Sequence, residues 1–452
     1  MSRVKREINM LQGPMVKNIL AFALPIALAT IVQQLFHSVD MAVIGMCEGQ
    51  NELAAVGSNG ALVNLIVSLF MGLASGANVV IAQSLGAGNK EFAEKATHTS
   101  LCLAVISGIC VMILGVFLSP VLLKMMDTPP EIIDLSTLYL KIYFLGMPFL
   151  MIYNFTAAIL RSKGETTKPF YCLVIGGVIN AGLNLIFVML FKMSVAGVAA
   201  ATSISNVISC VLVLLVLYKT DGPLKLDFKK LKLDKFTAVK IFKIGFPMSI
   251  QSCLFPIANI VVQSSVNALG AACIAGNAAG SALETYSWAL NGGFAQATVS
   301  FVSQNYGAKN IKRCKQAIWQ ILITGIVVTG VFNIVMYIFA DPLISIFTSD
   351  AYVASIAKFR LAYMYISFAT GFIMDNVSSA LRGFGYAVAP TVISVLGVCV
   401  FRIIWLKTVF IKIREYWTIL FVYPVSWVIV GVGVIALTVR VIKRLEKKEV
   451  EM

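Results

Sequence analysis

The sequence predicts an all-α integral membrane protein of twelve transmembrane helices in two pseudo-symmetric six-helix lobes. Three observations carry that expectation. The chain is 59% hydrophobic and only 13% charged over 452 residues. Its apolar residues arrive in runs long enough to cross a bilayer. Its second half repeats short motifs of the first at a fixed spacing.

Composition decides the class. A soluble domain is about 45–50% apolar and about 25% charged. With a mean hydropathy of +0.87, this chain has too few charges to cover a water-facing surface. The apolar runs are about 20 residues long, the length a helix needs to span about 30 Å of hydrocarbon. The basic start at Arg3, Lys5 and Arg6 imitates a signal peptide. However, the run from Ile19 is as long as a spanning helix and has a proline-bearing counterpart at Pro247. A retained first helix is expected.

Twelve spans follow in order: roughly 16–46, 52–82, 97–120, 134–160, 169–190, 194–218, 238–268, 273–303, 316–340, 352–381, 389–411 and 416–441. An even number places both termini on one side. The termini and loops of that side hold 27 of the 36 Lys and Arg, and the other side, helix ends included, holds nine. The positive-inside rule makes the terminal side cytoplasmic and accounts for the net charge of +15 without a nucleic-acid partner. The expected location is the plasma (inner) membrane.

The repeat fixes the domain organisation. Gln83-Ser84-Leu85-Gly86-Ala87-Gly88-Asn89 matches Gln304-Asn305-Tyr306-Gly307-Ala308-Lys309-Asn310 at an offset of 221. Leu160-Arg161, Gly164 and Pro169 match Leu381-Arg382, Gly385 and Pro390 at the same offset. Two blocks in register define duplicated six-helix halves in the same orientation. The expected division is an N-lobe over 1–218, a Lys-rich cytoplasmic linker over 219–237 and a C-lobe with a basic tail over 238–452.

Several chemistries have no support. The nine cysteines are scattered, odd in number and without a CxxC pair, which argues against a disulfide framework or zinc site. There is no G-x-x-x-x-G-K-[ST] loop, and with two histidines, His37 and His98, no HExxH. GxSxG is also absent, so the chain is not expected to be an enzyme. No cofactor is expected, and work would have to be driven by an ion gradient.

Attention therefore falls on acids inside the spans: Asp40, Glu284 and Asp375. An acid at a helix centre costs about 2.5–3.5 kcal/mol on insertion scales, so each should face a cavity or a partner. Helical periodicity places Asp40 with His37 and Gln33, Asp375 with Ser378, Ser379 and Arg382, and Glu284 with Ser281, Trp288 and Asn291. A fixed interhelical hydrogen bond is the alternative role for each acid. Asn180 and Asn184 form an i, i+4 pair on the fifth helix, and Thr202 lies on the sixth. Such oxygens suit Na+ or a proton relay beside a carboxylate, and otherwise serve as packing contacts. At the repeat offset, Asp375 falls on Asn154, and Asp40 has only Val261-Val262-Gln263 opposite it. Arg161 and Arg382 fit the positive-inside rule and the helix dipole without a further role.

The same residues resemble the multidrug and toxic compound extrusion (MATE) transporters over nearly the whole chain. The resemblance rests on Pro25, Gln33-Gln34 and Asp40, on Leu53-Ala54-Ala55-Val56-Gly57, on both paired blocks, and on Tyr423-Pro424 with Ser426-Trp427. It implies a cation-coupled antiporter, driven by Na+ or H+, that exports small organic molecules by alternating access, with cationic amphiphiles preferred. It also implies a cation site at Asp40, Asn154, Asn180, Asn184 and Thr202. Na+ at Asp40 is then the only metal expected, and Asp375 and Glu284 would line the substrate cleft. Some relatives carry an Asp at the position of Asn184, so this chain has one acid fewer there. The expected partners are small-molecule substrates and the lipid bilayer, with the protein a monomer. The alternative is a flippase for a lipid-linked saccharide. It would need Lys and Arg in the cleft, whereas the acids predominate here and Arg402 is the exception.

Overall fold

The computed structural model describes residues 7–47, 49–126 and 128–450, so Arg3, Lys5 and Arg6 lie outside it. Among the described residues every regular element is helical. The first half comprises α1 (Met15–Cys47), α2 (Gln50–Ser58) with α3 (Gly60–Gly86), α4 (Lys90–Met125), α5 (Pro130–Leu145) with α6 (Met147–Lys163), α7 (Thr167–Asn184) and α8 (Ser194–Tyr218). The second comprises α9 (Lys235–Asn267), α10 (Ala271–Gly307), α11 (Ile311–Ile338), the short α12 (Ala340–Ser345), α13 (Ala351–Gly383), α14 (Val388–Ser394) with α15 (Phe401–Trp405), and α16 (Tyr416–Val450). These form twelve spans.

Among the described residues, nine spans are long and apolar enough to cross a membrane as single helices, and the α5–α6 pair, bent by 46°, makes a tenth. The other two are α10 and α13, 37 and 33 residues long. Their Asn, Gln, Ser, Gly and charged residues dilute the apolar content. The two pack extensively against each other, so their polar faces are shared. By contrast, α11 presents Ile323, Val327, Ile334 and Ile338 outward, each more than half exposed. That helical stripe is the surface a bilayer covers.

The chain folds as two compact units. One holds the segment up to Ile8 and Leu28–Ser249; the other holds Asn9–Ala27 and Ile250 onward. Helices α1 and α9 are each divided between the units, shortly after Pro25 and Pro247. The connection after α8 is docked on the first unit. Leu224 and Leu226 are buried in its core, the Asp227 amide donates to His98 Nε2 (3.2 Å), and the Asp234 amide donates to Thr99 Oγ1 (3.2 Å). The Asp234 carboxyl accepts from the Thr237 hydroxyl and amide, which holds it below its ordinary range.

The repeat is visible in local geometry. Asn89 caps α4 by accepting from the Phe92 amide, and Asn310 caps α11 by accepting from the Arg313 amide, both at 2.9 Å. A π-helical turn at Leu185–Leu190 recurs at Leu406–Phe410, again 221 residues on. One position differs informatively. Gly88 takes the left-handed conformation (φ +71°), whereas its counterpart Lys309 adopts φ +56° with a side chain. A left-handed non-glycine residue costs about 1–2 kcal/mol. Lys309→Gly should therefore stabilise the protein by up to about 1 kcal/mol, after the loss of unfolded-state restraint. Thermal melting in detergent would show the midpoint rise.

Candidate functional site

In the first unit, α1 and α7 approach closely where Phe36 lies on Gly177; a Cβ there would overlap the ring. One turn further, the approach brings Asp40 against the polar face of α7. Asp40 is 6% exposed. Asn184 donates its amide to Asp40 Oδ1. Asn180, with its amide nitrogen turned to the carboxylate, donates to the same oxygen at 2.9 Å. Its own oxygen then accepts from the Thr202 amide at 3.2 Å. The Thr202 hydroxyl is bonded to Val198 O at 3.0 Å.

Asp40, Asn180, Asn184 and Thr202 thus form one cluster on three helices. Asn154 does not join it through its amide, which donates to Leu150 O of its own helix at 2.9 Å. His37 and Gln33 are exposed while Asp40 is buried, so the three do not share an environment. Two aromatics unmarked in the sequence reading complete the surroundings. Tyr139 and Tyr143, stacked at 5.7 Å on α5, lie close enough to feel the Asp40 charge.

The cluster has an unbalanced chemistry. Among the described residues no basic side chain pairs with Asp40. The Asn184 Oδ1 atom is buried with no hydrogen-bond donor. A carboxylate and an orphaned amide oxygen lie side by side, and both are suited to a hard cation.

In the second unit the acids are otherwise employed. Glu284 of α10 forms a buried ion pair with Arg360 of α13 (2.7 Å), both side chains 7% exposed. Trp288 Nε1 donates to its other oxygen at 2.9 Å. Arg360 also donates to Asn277 Oδ1 (2.8 Å), which accepts from the Tyr416 hydroxyl (2.9 Å). Arg360 is among the nine basic residues that the sequence reading sets outside the cytoplasmic count, yet it lies well inside a span. Glu284 is therefore matched by a fixed cation.

Asp375 is half-buried and accepts from Asn291 Nδ2 at 2.9 Å. A chain of bonds supports it: Thr298 donates to Asn376, and Asn376 donates to Asn291, each at 2.9 Å. Ser378 and Ser379 do not contribute hydroxyl bonds to it; Ser378 bonds Met374 O, and the Ser379 hydroxyl is buried without a partner. Arg382 is buried and donates to Gln251 Oε1 (2.8 Å), a tertiary contact beyond a dipole-capping role.

A multi-pass helical bundle with bonded polar clusters buried among its spans is the architecture of a membrane transporter. The MatE family model matches residues 25–186 and 247–406, one stretch in each half. The chain belongs to this family of multidrug efflux transporters. It is 29% identical over 387 residues to the probable multidrug resistance protein YoeA of Bacillus subtilis, covering 83% of each chain. It is 26% identical over 410 residues to the probable multidrug resistance protein NorM of Thermotoga maritima, covering 88% of this chain and 86% of the other. The fold matches a solved multidrug resistance MATE transporter of the MOP superfamily, described as outward-facing, with a TM-score of 0.90 at 20% identity, covering 99% of this chain and all of that one.

The Glu284–Arg360 pair makes a direct prediction. Removing one partner strands a buried charge and costs about 3–5 kcal/mol. Glu284→Gln should lower the melting temperature markedly, and adding Arg360→Met should restore most of it. If Glu284→Gln leaves melting unchanged, the pair is not formed in the folded protein.

Proposed function

We propose that this protein is a cation-coupled antiporter, driven by Na+ or H+, that exports small organic molecules by alternating access. The observation that carries the reading is the Asp40 cluster. One buried carboxylate is held by two neutral amides, with the Asn184 oxygen left unbonded beside it. Such a group is under-compensated. A cation entering it gains Coulomb energy that neutral donors cannot supply, and its departure restores the imbalance. An ion that binds one conformation better than another shifts the population by that difference in affinity.

Asp375 is the group suited to a cationic amphiphile, because Glu284 already has Arg360 as its counter-charge. The protein works in the plasma membrane with both termini in the cytoplasm, as the distribution of Lys and Arg favours. It acts as a monomer, with no resident cofactor and no catalytic chemistry.

Asp40→Asn keeps size and hydrogen-bonding capacity but removes the charge. In everted vesicles under an imposed Na+ or H+ gradient it should reduce dye efflux at least tenfold. The variant should remain inserted and melt no lower than the parent, since a buried charge has been relieved. Asn184→Ala should weaken the ion dependence with smaller loss of folding. Ordinary gradient-driven efflux by Asp40→Asn protein would show that the carboxylate is structural.

A further inference from the structure

The second unit has a buried cation that its own acids do not match. Arg402, on α15, is 4% exposed. Its Nε donates to Ser426 Oγ and its Nη1 to Asn259 Oδ1, both at 3.2 Å. Its guanidinium carbon lies 4.4 Å from the centre of the Tyr423 ring. Ser426 in turn donates to Tyr423 O at 2.7 Å. All these partners are neutral, and among the described residues no carboxylate bonds Arg402.

The unit's other buried guanidiniums are answered. Arg360 holds Glu284, and Arg382 shares a face of α13 with Asp375, two turns before it. Three buried guanidiniums thus stand beside two acids, Glu284 and Asp375, and Arg402 is the one with no acid bonded to it and none on its own helix. The side chain is also placed where something from outside can meet it, because its partner Asn259 is exposed. The Arg360 guanidinium lies 5.8 Å from the centre of the same Tyr423 ring, so two cations approach one ring, and only Arg360 is bonded to Glu284.

Its place in the repeat gives this added weight. In the first unit the acidic cluster is built from the first, fifth and sixth spans. Arg402, Tyr423 with Ser426, and Asn259 come from the eleventh, twelfth and seventh spans, their counterparts in the second half. The 221-residue offset places Thr202 on Tyr423 and Ser205 on Ser426. The equivalent place therefore carries an acid in one unit and a base in the other. A second π-helical turn, Val395–Val400, precedes Arg402, while its counterpart at 174–179 is ordinary α-helix. Such turns shift side chains around the helix and recur at functional sites.

We propose that Arg402, with Asn259, Ser426 and the Tyr423 ring, forms a binding site for an organic oxyanion, the carboxylate or phosphate group of an exported amphiphile. A guanidinium presents a planar fork that matches such a group, and it is strongest where water is excluded. The ring offers an apolar surface for the body attached to it. This deepens the export reading by adding acidic and zwitterionic molecules to the substrate class. It relies on that reading for the occupant's fate, but the test below needs no ion gradient, so the two can fail separately.

The test uses the full chain in nanodiscs of phosphatidylcholine and a fluorescent aryl carboxylate, dansylglycine, beside its neutral amide. Binding is read by energy transfer from tryptophan, since Trp405 and Trp427 lie on α15 and α16. Wild type should bind the acid at least tenfold more tightly than the amide. Arg402→Gln should bring that ratio close to one. Arg402→Lys, which keeps the charge but loses the fork, should give an intermediate ratio and serves if the glutamine variant folds poorly. Equal binding of acid and amide by wild type, or an unaltered ratio in both variants, overturns the proposal. So does loss of the wild type's acid preference in phosphatidylglycerol nanodiscs, which would assign the site to a lipid headgroup.

Discussion

A formal charge placed among hydrocarbon chains must be answered by the protein, because no water is there to do it. The interior of each unit is arranged around that requirement, and the two units meet it differently. In the first, Asp40 is held by amides alone, so its compensation is partial. In the second, Glu284 meets Arg360 directly, and Asp375 ends a chain of donors running back to Thr298. A fixed guanidinium gives a settled charge balance; neutral amides give one that can change. The distinction separates groups that hold the unit together from groups able to respond to an ion.

The internal repeat separates what the fold needs from what the site needs. Asparagine caps, the paired left-handed turns and the π-helical turns before α8 and α16 recur in both halves, since each solves a backbone problem at a helix end or join. The polar interior does not recur. At the repeat offset Asp40 is replaced by Val261, Asp375 replaces Asn154, and Arg402 stands where the first half has Ala181. One scaffold thus carries two charge patterns.

Much of this was legible in the sequence, for identifiable reasons. Apolar runs and the 221-residue offset located all twelve spans, including α10 and α13, which hydropathy alone passes over. The grouping of Asp40 with Asn180 and Asn184 was legible because amides at i, i+4, which alone read as packing contacts, gain meaning beside a carboxylate in another apolar span. The fate of Glu284 was not, since Arg360 lies 76 residues away and reads as one more loop charge until the helices are packed. Asn154 entered the expected site through the family resemblance, which reports equivalent positions and says nothing about where an amide points; here its nitrogen donates to Leu150 O. The serines near Asp375 failed for a related reason: a hydroxyl in a helix is readily satisfied by its own backbone carbonyl.

The polarity of α10 and α13 reaches back to the ribosome. Neither helix is apolar enough to partition readily on its own, and each hides its polar face on the other. Two helical elements, α11 and α12, are synthesised between them. Without α13, α10 would carry Glu284 and Asn291 into hydrocarbon lacking Arg360 and Asn376, the side chains that bond them. A chain truncated between α10 and α13 would therefore leave Glu284 as a stranded carboxylate, with no fixed cation to answer it.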